Sequence, residues 1–132
     1  MILESTDKKV QKKTVLLAED DPVCRKIITK ILGEAGFQVH IAVTGVEVVS
    51  LFSQVKPDLI LMDVRMPELD GLTAVRMIRE IEKPSSRNVP VIAVTAYALK
   101  GDREICLEAG MDDYLTKPFD IGDLLAITRQ WL

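Results

Sequence analysis

Five short strand-like runs, each followed by a stretch with apolar residues at helical spacing, constrain this chain more than any other feature. The runs cover residues 14–18, 37–43, 59–62, 90–94 and 113–116. The first, third and fourth are almost continuous in Val, Leu, Ile, Ala and Met, while in the second Val39 and Ile41 alternate with Gln38 and His40. Apolar strands alternating with amphipathic helices form a parallel sheet that is covered on both faces. Crossovers between such strands are right-handed, and a closed barrel of this kind needs about 250 residues. At 132 residues the chain is one domain. The expectation is therefore an α/β fold: a doubly wound open sheet of five parallel strands with five helices.

Local signals punctuate the helices. Asp21-Pro22 is a cap followed by proline at the first helical position, and Cys24, Ile27, Ile28, Ile31 and Ala35 then form an apolar face that Gly36 ends. Thr44-Gly45 opens a second helix with Val48, Val49, Phe52 and Val55 inward, stopped at Lys56-Pro57. After Gly71 a third helix has Ala74, Val75, Ile78 and Ile81 as its inner face. A fourth is expected over about residues 98–109, closed by Gly110. A fifth starts at Asp120, with Ile121, Leu124, Leu125, Thr128 and Leu132 on one stripe. Residues 1–13, with Lys8, Lys9, Lys12 and Lys13, read as a flexible N-terminal tail before a domain over 14–132.

Composition narrows the function. The net charge is −3, which does not favour a nucleic-acid partner. No apolar run reaches the roughly 20 residues of a membrane span, and no signal-peptide pattern opens the chain. Cys24 and Cys106 form no CxxC, and with only one histidine a zinc site is not expected. Reduced thiols and a cytoplasmic setting follow.

Open α/β sheets bind ligands outside the carboxyl ends of their strands. The residues expected there are Glu19 and Asp20 after the first strand, Asp63 after the third, Thr95 after the fourth and Lys117 after the fifth. Adjacent strands lie about 4.8 Å apart, so three carboxylates would share a small volume if the first and third strands are neighbours. Two carboxylates 4 Å apart repel by about 4 kcal/mol at an effective dielectric of 20. Such a group needs a cation, a shared proton or a lysine. A few hard oxygens that leave room for water suit Mg²⁺. With a lysine and a hydroxyl beside it, the set suits a phosphoryl group, with a carboxylate as nucleophile. Taken singly, Asp20-Asp21 reads as a helix cap, Asp63 as a loop acid, Thr95 as a strand terminus, Lys117 as a solvent-facing lysine and Asp70 as a turn or cap. Their convergence on one rim favours the joint reading.

In that order and spacing, Glu19-Asp20, Asp63 with Met66-Pro67 and Asp70-Gly71, Thr95-Ala96 and Tyr114-Leu115-Thr116-Lys117-Pro118 carry a resemblance. The chain resembles the receiver domain of two-component response regulators over about residues 14–132. The wording of residues 19–25 and 111–118 is most similar to receivers of hybrid sensor kinases, so a stand-alone regulator and a hybrid-kinase-type receiver both stay open.

The resemblance implies a flavodoxin-like fold with strand order 2-1-3-4-5. It implies that Asp63 accepts a phosphoryl group from a phosphohistidine on a sensor histidine kinase or a histidine phosphotransfer protein. Asp20 and Asp63 would bind Mg²⁺ (or Mn²⁺) with the backbone carbonyl of Arg65, and Glu19 would act largely through water. Lys117 would pair with the phosphoryl oxygens beside a cis Lys117–Pro118 bond. Thr95 and Tyr114 would be the switch, altering the face of the fourth helix, fifth strand and fifth helix for a downstream protein or onward relay. The chain would be a monomer or a phosphorylation-dependent dimer. It would catalyse its own phosphorylation and dephosphorylation without turning over an external substrate.

Glu19 departs from the commoner aspartate of this family. Arg65 and Tyr97, two places after Asp63 and Thr95, are expected to tune hydrolysis of the phosphoaspartate. The last helix ends the chain, so output is expected by protein contact or relay, and Ile127 and Trp131 are either the edge of the core or a partner-facing patch. Two rivals stand beside this reading. A metal-dependent phosphatase with an aspartyl nucleophile usually has a second acid where Arg65 stands. A flavin or nucleotide module lacks its glycine motifs here.

Overall fold

The computed structural model describes residues 12–85, 87–96 and 101–132. Five strands, β1 (Thr14–Ala18), β2 (Gln38–Ala42), β3 (Leu59–Met62), β4 (Val91–Thr95) and β5 (Asp113–Thr116), form one sheet in the order β2-β1-β3-β4-β5. All four pairings are parallel. The helices are α1 (Pro22–Glu34), α2 (Gly45–Val55), α3 (Gly71–Glu82), α4 (Asp102–Ala109) and α5 (Ile121–Trp131). The doubly wound five-stranded sheet and its order are those expected. Residues 1–11 and Tyr97 lie outside the described residues. Lys13, assigned to the tail, already accepts the Gln38 N–H at 2.9 Å.

The period-2 pleat of the strands sorts the core into two layers. Leu16, Ala18, Ile60, Met62, Val91 and Ala93 pack on one face against Val48 of α2, Ala74, Val75 and Ile78 of α3, and Cys106 and Ala109 of α4. Val15, Leu17, Leu59, Leu61, Ile92 and Val94 pack on the other against Ile28 and Leu32 of α1 and Leu124 of α5. Ile127 and Trp131 pack at the edge of this second layer, and Trp131 Nε1 donates to Asp113 Oδ2 at 2.8 Å. The tryptophan thus completes the core edge.

Four helices start where the side-chain oxygens lie. Asp21, Thr44, Asp70 and Asp120 accept from the N–H groups of Val23, Glu47, Thr73 and Asp123. Three apolar residues assigned inward face out: Ile27 is 50% exposed, Ile81 44% and Ile121 58%. On α3 it is Glu82, next to Ile81, that is buried. A helical period fixes a face only to within one residue, and a charged partner won that position. The partner is Arg79, which donates to Glu82 Oε1 at 2.6 Å, Asp112 Oδ2 at 2.9 Å, and the carbonyls of Val89 at 2.8 Å and Gly110 at 3.0 Å. Glu82 and Asp112 in turn accept the N–H groups of Val89 and Val91, at 2.6 and 2.8 Å.

Candidate functional site

The chain reverses direction across the sheet between β1 and β3, and ligand crevices of open sheets lie at such a reversal. The register sets what stands there. Ala18 is paired with Met62, so the next residues on each strand, Glu19 and Asp63, leave the sheet side by side. Asp63 N–H donates to the Ala18 carbonyl at 2.9 Å, and Glu19 N–H donates to Ala42 at 3.0 Å. Thr95 is paired with Thr116, and its carbonyl accepts the Lys117 N–H at 2.8 Å. Four strand ends therefore deliver Glu19, Asp20, Asp63, Thr95 and Lys117 to one rim.

Gly71 completes the rim. A side chain there would place its Cβ 2.3 Å from the Asp63 carbonyl oxygen and 3.0 Å from Val64 Cα. The close approach lets the Gly71 N–H donate to the Val64 carbonyl at 2.8 Å, tying the loop after Asp63 to the start of α3. Gly71→Ala is expected to destabilise the fold by about 2 kcal/mol, because backbone and not a flexible side chain must move. Urea unfolding checks this; an unchanged midpoint would show that the loop yields freely.

Each carboxylate in the cluster has a different environment. Glu19 is 1% exposed, and its two oxygens are both engaged. Oε1 accepts from Lys117 Nζ at 2.5 Å, and Oε2 accepts the Asp21 N–H at 3.2 Å. Asp63, 8% exposed, accepts the Arg65 N–H on Oδ1 at 3.1 Å and Lys117 Nζ on Oδ2 at 3.3 Å. Asp20 is exposed to solvent. The three residues each offer an oxygen within 4.8 Å of the others.

The electrostatics follow from burial. Desolvation, then the neighbouring Glu19 carboxylate, push the Asp63 carboxyl up to about 6, against Lys117 and the Arg65 N–H. Burial disfavours the charge on Lys117, but Glu19 and Asp63 outweigh it and raise its pKa above the usual lysine value. Lys117 therefore keeps its positive charge between two acids. Burial and Glu19 push the nearby Cys24 thiol up to about 11, which leaves it an inert thiol beside the site.

A cavity of about 420 Å³ adjoins the rim, lined by Arg65, Asp70, Thr95, Cys106 and Tyr114 among others. The buried Tyr114 hydroxyl has no hydrogen-bond partner among the described residues. Thr95 is 1% exposed at the end of β4, and Arg65 is exposed. The Lys117–Pro118 peptide is cis. Sequence reasoning missed Arg25, whose Nη1 donates to the carbonyls of both Glu19 and Asp20. Its place on α1, one turn beyond the capping Asp21, was the available signal.

The donor set fits a hard divalent cation. It is all oxygen, two of its members are buried acids, and burial, then the neighbouring Glu19 carboxylate, push Asp63 toward protonation.

Known proteins are similar to this chain in sequence and fold. The family model described as response regulator receiver domain matches residues 15–129. The peroxide stress-activated histidine kinase mak2 of Schizosaccharomyces pombe is 42% identical over the whole of this chain, which spans 6% of that kinase. An uncharacterized 14.6 kDa protein of Leptolyngbya boryana is 38% identical over 89% of this chain and 88% of its own length. Among solved structures, the receiver domain of sensor histidine kinase PA1611 from Pseudomonas aeruginosa superposes with a TM-score of 0.83 at 44% identity, covering 92% of this chain and 98% of that one. That structure has a magnesium ion coordinated in its active-site cleft. With the sheet order and the acidic rim already in place, these matches show that the chain belongs to the response regulator receiver domains of two-component signalling.

Proposed function

We propose that the chain is a phosphoacceptor in which Asp63 takes a phosphoryl group from a phosphohistidine of a sensor histidine kinase or histidine phosphotransfer protein. The observation that carries the reading is the convergence of Asp20, Asp63 and Lys117 where the sheet reverses. An Asp63 oxygen attacks phosphorus, the P–O bond forms, and the P–N bond breaks with its electron pair returning to the histidine nitrogen. Asp63, with its carboxyl near 6, is mostly ionised and nucleophilic at neutral pH. Lys117 is placed to move from the acids to the phosphoryl oxygens, offsetting the charge that arrives.

Asp20, Asp63 and the Arg65 carbonyl would hold Mg²⁺, or Mn²⁺. The bound ion would neutralise phosphoryl charge. Both Glu19 oxygens already have donors, which supports a role through water. Thr95 would hydrogen-bond the phosphoryl group, and Tyr114, already inside the cavity, would follow it and alter the α4–β5–α5 face for a protein target or onward relay. The chain would modify itself once and not turn over a substrate. Its two free cysteines and the absence, among the described residues, of a helix long and apolar enough to cross a membrane accord with a cytoplasmic setting.

The test supplies acetyl phosphate and MgCl₂ and reads intact mass. One added phosphoryl group is expected, and none when the metal is chelated. Steady turnover of an added phosphomonoester beyond one equivalent would instead favour the phosphatase rival.

The exposed Arg65 lines the cavity, two residues from Asp63. Arg65→Ala is expected to shorten the phosphoryl lifetime severalfold. An unchanged decay of the isolated phosphoprotein would remove Arg65 from this role; Tyr97, its proposed partner, lies outside the described residues.

A further inference from the structure

The acidic pair Glu19-Asp20 sits in the short connection between β1 and α1, and its two ends are fixed locally. Glu19 N–H is bonded to Ala42, and Asp21 caps α1 through Val23. The middle of the connection is held from the helix. Arg25 Nη1 donates to the Glu19 carbonyl at 3.2 Å and to the Asp20 carbonyl at 3.3 Å, so one guanidinium nitrogen bridges two consecutive peptides. The Asp20 carboxylate is exposed. The backbone from which it projects is bonded to the body of α1 through Arg25.

We propose that Arg25 is a positioning residue for the cation site, holding the Glu19-Asp20 backbone so that the Asp20 carboxylate stands with Asp63. The inference rests on the magnesium reading given above. Its sign makes it separable from plain electrostatics. Arg25 is a positive charge near a site for a divalent cation, so its charge alone opposes binding. Removing that charge would tighten Mg²⁺ if Arg25 did nothing else. Removing a support for the ligand backbone weakens Mg²⁺, as loss of outer contacts does in other metal sites.

Equilibrium titration of the full chain with MgCl₂, followed by the amide NMR signals of Asp20 and Arg65, decides between them. Arg25→Ala is expected to weaken Mg²⁺ about ten-fold, the low end for loss of such support. Arg25→Met keeps the aliphatic stem, guarding against a misfolded alanine variant, and is expected to weaken it similarly. Lys26→Ala removes an equal charge from an exposed neighbour on α1 and is expected to leave affinity unchanged or slightly higher. Native-like or tighter affinity in the folded Arg25 variants overturns the proposal while leaving the magnesium reading intact. No saturable shift in the native chain overturns both.

Discussion

Asp63→Asn is expected to take up no phosphoryl group from acetyl phosphate and Mg²⁺, under conditions in which the native chain is expected to gain one. The amide keeps the shape and the Arg65 N–H contact but lacks the anionic oxygen that must attack phosphorus. Labelling that persists in the variant would reject Asp63 as acceptor.

The same substitution is expected to stabilise the metal-free fold. Folding moves the Asp63 carboxyl from 3.8 to about 6, so between those values the folded chain holds a proton that the unfolded chain releases. Stability therefore falls as pH rises through that window. Two pKa units correspond to at most about 3 kcal/mol, and Lys117 and Glu19 will readjust when the charge goes. The expected gain is about 1–3 kcal/mol above pH 6, shrinking as pH falls toward 4. It also shrinks when MgCl₂ is added, because only the native chain is then stabilised by binding. Urea midpoints across this pH range measure it. An asparagine variant less stable than the native chain at pH 7 would mean that the Lys117 pairing outweighs the burial of Asp63.

Arg79→Met is expected to cost about 3–5 kcal/mol, the range found when one partner of a buried ion pair is removed. Thermal unfolding should fall by roughly 10–20 °C. The guanidinium joins four pieces of chain: Glu82 on its own helix, Val89 before β4, Gly110 after α4, and Asp112 before β5. Glu82 is 5% exposed, so losing Arg79 strands a buried carboxylate. This cluster holds the amino-terminal edge of the sheet, opposite the acidic rim. At low temperature the folded variant should still accept one phosphoryl group. A loss below 1 kcal/mol would show that the network merely breaks even against its desolvation.

The fold was largely legible because strand and helix periods differ and their alternation is regular. Val15, Leu16, Leu17 and Ala18, buried one after another, could only be a strand covered on both sides. Helix starts were legible too, since Asp21, Thr44, Asp70 and Asp120 are caps by local chemistry. Helix faces were less so. Ile27, Ile81 and Ile121 fit the apolar stripe by spacing yet are largely exposed, because which positions of a stripe are covered depends on where the neighbouring layer lies. Glu82 and Arg79 were illegible as core residues. Burial of a charge depends on a partner, and Asp112 is far away in sequence.

The candidate site divides in the same way. Sequence alone determined which residues are present at the strand ends: three acids, a hydroxyl and a lysine in a fixed order. It also determined the glycine at 71 that lets α3 start against Asp63. Only the tertiary structure decided how they share the space. The β1–β3 register sets Glu19 beside Asp63. The reach of the longer Glu19 side chain engages both of its oxygens and leaves Asp20 in solvent. Arg25, passed over in the sequence, donates to the carbonyls of both acids. The physical reason is that strand ends are set by local pattern, whereas the charge each group carries is set by neighbours brought from distant parts of the chain.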